Sequence, residues 1–495
     1  MNELSSIAEL KEVVAQQSAQ ITLLTEQTTT LTEQNALLTE QNALLTEQNT
    51  LLSLRIEELE QRINKNSSNS DKPPSSDGLS KKPAFPRKPG LRKSGGQSGH
   101  RGRTLKMVAI ADHYELHPVK ASQCDCGCKL AGIQASDYWD KRQVFDLPPT
   151  ILQVSEHRVE SKTCPNCQRV HLGEFPLGVN APVQYGDRVR SLAVLLNVEQ
   201  SLPLARVQEL FAGLTGYEIN ESTVHSAVER MYEQLEEEEK IIHQEVLKSD
   251  VAHSDETGGR IAGKLHWVHV FSSLLHTLYI VSDQRGGEVI KGPDSHLANY
   301  KGRLIHDCLN SYLAMTGLMS HGLCNAHILR ELTALMELPK ALTWPAKMHE
   351  LLLEYYLASD CAKGVASQAT LEQLDEKYAD VLEQADKEEP PPIQGKRGRP
   401  KKSKGRNLME RLKEHQEAVL AFSRCAEVHF TNNLGERDLR PWKTKLKVSG
   451  CFRTLAGALH YARIKGFCST VKKNGLVVFE QLLAAQKGQS FLRLT

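Results

Sequence analysis

Leucine recurs at every seventh residue near the start of the chain, at Leu24, Leu31, Leu38, Leu45, Leu52 and Leu59, and Asn35, Asn42, Asn49, Ile56 and Ile63 fall four residues after a leucine and three before the next. Two positions in every seven on this spacing make the seam of a coiled coil, so residues 1–65 are predicted to form one long helix that pairs with a copy of itself. With the leucines at d, the asparagines take a positions, where a buried amide stabilises little but selects one register and favours a parallel dimer. A low-complexity repeat that is helical only in part fits the tandem TEQNALL units too, because threonine is a mediocre helix former. The pattern then stops. Residues 66–108 are rich in Pro, Gly and Ser, and Lys81, Lys82, Arg87, Lys88, Arg92, Lys93, Arg101 and Arg103 give them a basic surplus. Such a segment is a flexible linker that follows phosphates without sequence preference, or simply a solvated spacer.

From residue 109 to 180 the informative positions are cysteines. Cys124, Cys126 and Cys128 alternate with single residues, and Cys164-Pro-Asn-Cys167 is a turn that presents two thiolates to one tetrahedral ion, so a zinc-ribbon-like module is expected. CxCxC offers three sulfurs where two are needed, which leaves open which of the first three ligate. Residues 181–247 show amphipathic helical periodicity. Within them Gly213 and Gly216 break two helices, and Asn220 or Ser222 caps the second, the outline of a helix-turn-helix or of any αα-hairpin.

The period changes to two after residue 250. Runs at 251–257, 265–272 and 276–282 are rich in β-branched and aromatic residues and read as three consecutive antiparallel strands. Residues 258–264 match GxxxxGK of a phosphate-binding loop, but Leu265 follows where Ser or Thr is required, and the segment joins two strands instead of a strand and a helix. Asp255 lies in the first strand, and alternation sends Asp255 and Glu256 to opposite faces. A fourth strand from Arg303 ends at Asp307. The third acid is Glu436, with Arg437, Arg440, Lys443, Lys445 and Lys447 around it. Asn433 and Glu436 also fit a capping box on a short helix, and an aspartate at a strand end is often a turn former. Two aspartates and a glutamate are hard oxygen ligands of the kind Mg²⁺ prefers, and the basic surround suits a polyanion, so the chemistry indicated is phosphoryl transfer assisted by two metal ions.

The stretch between Asp307 and Glu436 is too long for a simple connection, so residues 341–425 are expected to house a helical insertion. Its tail carries Arg397-Gly398-Arg399-Pro400 followed by Lys401 and Lys402, which resembles the core of an AT-hook and equally resembles a basic disordered loop. Composition adds limits. With 495 residues, 40% apolar and 24% charged, the chain has room for several domains, and no apolar run approaches the roughly 18 residues of a membrane span. The opening residues lack a basic start followed by an apolar stretch, so a cytoplasmic location is expected, and there eleven cysteines favour metal over disulfides.

Taken together, NSSNSDKPPSSD at 66–77, GGQSGHRG at 95–102, the cysteine knuckles, SDETG at 254–258, HDCLNSY at 306–312, CNAH at 324–327 and NNLGERDLRPWK at 432–443 resemble the large transposases of bacterial insertion sequences of the IS sixty-six type, in the DDE group. The resemblance runs from about residue 60 to the end. It implies an α/β multidomain chain with a ribonuclease-H-like mixed-sheet catalytic core at 248–340 and 426–495, interrupted by the helical insertion and preceded by the coiled coil, the zinc-ribbon-like module and the helix-turn-helix-like region. It also implies that Asp255, Asp307 and Glu436 are the DDE triad holding two Mg²⁺ ions, with structural Zn²⁺ at Cys124, Cys126, Cys128, Cys164 and Cys167. Cys324 and His327 match the family's cysteine-x-x-histidine, which the resemblance implies supports the active site; by spacing alone they read equally as a buried structural pair. Arg397, Arg399, Lys401, Lys402, Arg437, Arg440, Lys443 and Lys445 are the expected DNA contacts. The implied function is binding of the element's terminal inverted repeats, then DNA cleavage and strand transfer into target DNA. A homodimer or higher assembly near the nucleoid is implied, with companion proteins of the same element left open. Two departures stand out: Ile328 and Leu329 precede a lone Arg330 where the family usually carries two basic residues, and the first knuckle is compressed relative to CxxCG. A catalytically inactive, transposase-derived zinc-containing DNA-binding protein would use the same segments without needing the acids; a coiled-coil adaptor would explain residues 1–63 alone.

Overall fold

The computed structural model describes residues 2–63, 65, 69, 107–115, 117, 120–130, 133, 142–145, 152–163, 165–167, 170–315, 319–338, 342–362, 364–392 and 402–494. Cys164, Arg397, Arg399 and Lys401, and most of the basic linker, lie outside them. The chain divides into two compact units, Met1–Phe85 with Arg330–Ala341, and Pro86–Leu329 with Leu342–Thr495.

In the first unit, helix α1 (Asn2–Ile63) is continuous across the whole heptad region. The threonines that weaken its propensity donate their hydroxyls to carbonyls one turn back, as Thr39 does to Asn35 and Thr46 to Asn42, both at 2.7 Å. The six leucines of the repeat are all exposed along it.

The second unit begins with a small antiparallel hairpin, β1 (Ser161–Thr163) and β2 (Val170–Leu172). Helices α2 (Asp187–Val194), α3 (Leu204–Thr215), α4 (Glu221–Gln234) and α5 (Glu236–Leu247) follow. The α3–α4 corner forms as its sequence predicts: Gly216 ends α3 at φ +74°, and the Asn220 side chain accepts the Ser222 N–H at 2.9 Å to cap α4. Val207, Phe211, Ile219 and Val224 make a small core there with Ala193.

Next comes one five-stranded mixed sheet of β3 (Val251–Ile261), β4 (Lys264–Ser272), β5 (Thr277–Ser282), β6 (Arg303–His306) and β7 (Ser320–Leu323), in the order β5-β4-β3-β6-β7. β3, β4 and β5 are antiparallel neighbours, and β6 and β7 run parallel to β3. This order and these directions fit a ribonuclease-H-like core. The GxxxxGK look-alike is the β3–β4 hairpin, turned through Ala262 and Gly263 at φ +49° and +78°; positive φ at both central residues is type I′ geometry, which matches strand twist and forms no phosphate loop.

Helix α6 (Asn325–Met336) follows β7, and the expected helical insertion consists of α7 (Trp344–Cys361), α8 (Gln368–Glu388) and α9 (Lys404–Glu414), tied by Tyr378 Oη donating to the Leu412 carbonyl at 3.0 Å. The chain then returns through α10 (Asn433–Ser449), α11 (Leu455–Lys473) and α12 (Val478–Gln486). Val268, Val270 and Phe271 of the sheet share one core with Leu439 and Trp442 of α10, Ile464 and Phe467 of α11, and Val228, Met231 and Ile242 from α4 and α5.

Strand alternation sorts β3 into two faces. His253, Asp255 and Gly259 face α10, while Ser254 and Glu256 face Tyr312. A Cβ at Gly259 would lie 2.7 Å from Leu446 Cδ1 and 3.1 Å from Trp442 Nε1, so an added methyl must displace the Leu446 side chain and crowd the buried Trp442 ring of α10. Gly259→Ala is expected to lower the unfolding free energy by about 1–3 kcal/mol in urea titrations, the usual effect of overpacking. An unchanged midpoint would mean that α10 yields at no cost.

Candidate active site

The parallel strands converge on one end of the sheet. His253 pairs with Ile305 in the last rung between β3 and β6, and the same register carried two residues on sets Asp255 level with Asp307. His306 pairs with Leu323 in the last rung between β6 and β7, and the next residue, Cys324, donates its N–H to the His306 carbonyl at 3.0 Å. Asp307 and Cys324 thus directly follow the carboxyl ends of β6 and β7, Asp255 lies within β3 two residues past its last rung with β6, and Glu436 comes from the first turn of α10.

The acids interact. The Asp255 carboxyl is pushed up to about 7, first by burial, then by the like charges of Glu256 and Asp307; Lys443 opposes the rise and Glu436 adds to it. Asp307, Glu436 and Lys443 are therefore all within electrostatic reach of Asp255. Glu256 is also pushed up to about 7, by burial and by Asp307. Its carboxylate is buried, paired with Arg285 Nη2 at 3.0 Å, and accepts the Tyr312 hydroxyl at 3.1 Å. Arg285 in turn stacks over the Trp267 ring at 5.0 Å. Glu256 belongs to the opposite face, as alternation requires, yet its charge is felt across the strand. No local signal marks it, because its partners lie in separate segments.

Asn432 joins three elements. Its Oδ1 meets His253 Nδ1 at 2.9 Å, its Nδ2 donates to the Ser254 carbonyl at 2.8 Å, and its main-chain N–H donates to Cys324 Sγ at 3.2 Å. Burial holds His253 down at about 4, so the ring is neutral and serves as a hydrogen-bonding partner. The capping box expected from Asn433 and Glu436 does not form: the cap residue is Asn432, its side chain is spent on β3, and the helix runs through Ser449, well beyond the short element expected. Glu436 is left without a capping role.

Arg437, Arg440 and Lys443 are exposed and recur every third residue along α10, which puts them on one side of it. Lys445 does not join them. It is buried, its Nζ donates to the Asn197 carbonyl at 3.2 Å and lies 5.9 Å from the Tyr461 ring centre, and burial pushes it down to about 8, so the expected DNA contact there is corrected to a packing role. Lys402 is half-buried and paired with Glu410. Arg397, Arg399 and Lys401 fall outside the described residues.

Of the expected zinc ligands, Cys124, Cys126 and Cys128 are exposed on a tight turn closed by Cys124 N–H to the Cys128 carbonyl at 2.8 Å, and Cys167 is exposed in the turn between β1 and β2. Among the described residues, metal-type donor atoms converge in threes elsewhere: Cys324, His327 and Glu436, all within 4.8 Å of one another. The sequence presented Cys324 and His327 as active-site support; their meeting with Glu436 depends on how α10 docks and has no signature in the spacing.

Asp255 within β3, Asp307 just after β6 and Glu436 at the start of the basic helix α10 belong to a five-stranded β5-β4-β3-β6-β7 sheet and its neighbouring helix, an arrangement that fits a ribonuclease-H-like core. Residues 182–460, more than half of the chain, match the transposase IS66 family, and the chain belongs to that family. It is accordingly a DNA-transposition enzyme and a DNA-binding protein, and the family implies a divalent metal. Residues 7–106 match a second family, DUF6444, described as a family of unknown function. No curated protein matches the chain. No helix among the described residues is long and apolar enough to cross a membrane.

Proposed function

We propose that this transposase cuts and joins DNA through Asp255, Asp307 and Glu436 acting as a DDE triad. One observation carries the reading: Asp255 is buried among like charges, Glu256 first and then Asp307 and Glu436, and a cation would relieve that repulsion. The donor set fits Mg²⁺, since these acids offer hard carboxylate oxygens, and a bound pair of ions would activate the attacking oxygen and stabilise the leaving one. The residues of the chain do the positioning. Arg437, Arg440 and Lys443 hold phosphates along the exposed side of α10, and Lys443 also offsets charge at Asp255. Asn432 fixes the start of α10 against β3, and with it the height of Glu436 above the strand ends. The nucleophiles are water and then the freed 3′-hydroxyl, with no covalent protein–DNA intermediate. The α3–α4 corner and the cysteine knuckles, the latter as a structural Zn²⁺ module, recognise the element ends, and the exposed leucines of α1 pair two copies in a parallel coiled coil.

The test is Mg²⁺-dependent cleavage and strand transfer on oligonucleotides carrying the element's ends. Asp255→Ala, Asp307→Ala and Glu436→Ala are each expected to abolish both reactions while end binding, measured by gel shift, stays within about threefold. Full activity in any one variant would remove that residue from the mechanism; absence of activity in the native chain, with end binding intact, would favour the catalytically inactive DNA-binding reading.

A further inference from the structure

We infer that Cys324, His327 and Glu436 form a metal site of their own, one that takes a borderline divalent ion such as Zn²⁺ beside the all-oxygen site. The three donor atoms, a thiol sulfur, an imidazole nitrogen and a carboxylate oxygen, all lie within 4.8 Å of one another. A tetrahedral zinc with bonds of about 2.0–2.3 Å sets its ligands roughly 3.3–3.8 Å apart, so closing the group on an ion needs movements of about an ångström.

Each ligand sits on a firm support. Cys324 is buried directly after β7, and its N–H is bonded to the carbonyl of His306 on the neighbouring strand. His327 lies in the first turn of α6, three residues on, a spacing that turns two side chains toward one point. Glu436 stands in the first turn of α10. Outside this set, the main-chain N–H of Asn432 donates to Cys324 Sγ at 3.2 Å, the kind of outer hydrogen bond that orients a metal-bound sulfur. Mg²⁺ prefers oxygen alone and suits this donor set poorly, whereas Zn²⁺ and Co²⁺ accept sulfur, nitrogen and oxygen together. Three protein ligands leave a fourth position for water or an oxygen of a substrate phosphate.

The site has a consequence for Glu436. An ion held by Cys324 and His327 competes for the same carboxylate that the hard-oxygen site would use, so its occupancy adjusts how much of Glu436 is offered to Asp255 and Asp307. The assignment stands on these three side chains and does not require the acids to be catalytic.

The experiment is a Co²⁺ titration of the full chain after chelator stripping, read by the near-ultraviolet charge-transfer absorption of a cobalt–thiolate bond. An all-carboxylate site gives no such band, and the cysteines at 124–128, 164 and 167 contribute equally in all variants compared. Cys324→Ser is expected to lose one equivalent of sulfur-bound cobalt, and His327→Gln and Glu436→Gln to weaken that equivalent at least tenfold. Cys361→Ser, at an exposed cysteine of α7, should match the native chain. Unchanged stoichiometry and band intensity in Cys324→Ser would overturn the site. Should Cys324→Ser fail to fold by circular dichroism, His327→Gln decides alone, and native cobalt affinity in it would overturn the site equally.

Discussion

Asp255→Asn is expected to make the metal-free protein more stable at pH 8 while removing its ability to cut DNA. The carboxyl titrates near its ordinary 3.8 when the chain is unfolded and at about 7 when folded. Between those values the folded state binds more protons than the unfolded one, so this group's contribution to stability falls as pH rises from about 4 to about 7, and the loss is complete above that. Each pKa unit corresponds to about 1.4 kcal/mol, which sets the penalty of ionised Asp255 on the order of 4 kcal/mol. Glu256 shifts in the same direction, and because the two repel each other, removing one charge eases the other. Asparagine keeps the shape and never ionises. Urea unfolding at pH 8 without divalent ions should therefore show a gain of about 2–4 kcal/mol over the native chain, shrinking to about 1–2 kcal/mol at pH 5, where Asp255 carries its proton in the folded chain but has lost it in the unfolded one. Adding Mn²⁺ should raise the melting temperature of the native chain more at pH 8 than at pH 5.5 and raise that of Asp255→Asn much less. Cleavage should fall about 10³-fold or more, the rate equivalent of losing several kcal/mol of charge stabilisation. Equal stability of the two proteins at pH 8 would show that Asp255 is not held against its own ionisation.

What the sequence disclosed and what it hid follow from the range of the forces involved. The β3–β4–β5 meander, the Asn220 cap and the Gly216 stop were legible because each is settled by a few neighbouring residues: alternation, one side-chain bond, one positive φ. Asp255, Asp307 and Glu436 were legible as acids in unusual settings, and the parallel register of β3 and β6 brings the first two level. The role of Asn432 was hidden, because a capping signature in the sequence cannot tell whether the side chain turns back to its own helix or reaches across to His253 and Ser254. Lys445 was misjudged for a related reason. Spacing along a helix says which residues share a side, but only docking against Asn197 and Tyr461 decides that this lysine is inside while Lys443 is out. Glu256 with Arg285 and Tyr312 is equally non-local.

The same holds for the contact that anchors α10, where the second large effect is expected. Asp438, two residues after Glu436, is buried and pairs with the buried Lys473 of α11 at 2.6 Å; its Oδ2 also accepts the Thr277 hydroxyl at 3.2 Å, and its main-chain carbonyl accepts the Tyr279 hydroxyl. Lys473 donates further to the carbonyls of Ser273 at 2.7 Å and His276 at 3.1 Å. Burial pulls the Lys473 ammonium below its usual range and the Asp438 charge opposes that pull, so the ammonium depends on its counter-charge there. Asp438→Ala would leave a buried ammonium without its counter-charge, and a loss of about 3–5 kcal/mol in urea unfolding is expected. Removing both charges is a different case, because a buried pair contributes little beyond what apolar packing of similar volume supplies. Asp438→Asn with Lys473→Met should therefore recover more than half of that loss. The cleavage rate should track the same order: low in Asp438→Ala, because α10 no longer holds Glu436 at the strand ends, and largely restored in the double variant. If the double variant is no more stable than Asp438→Ala, the pair is not what fixes α10, and the bonds from Asn432 to β3 must carry that task by themselves.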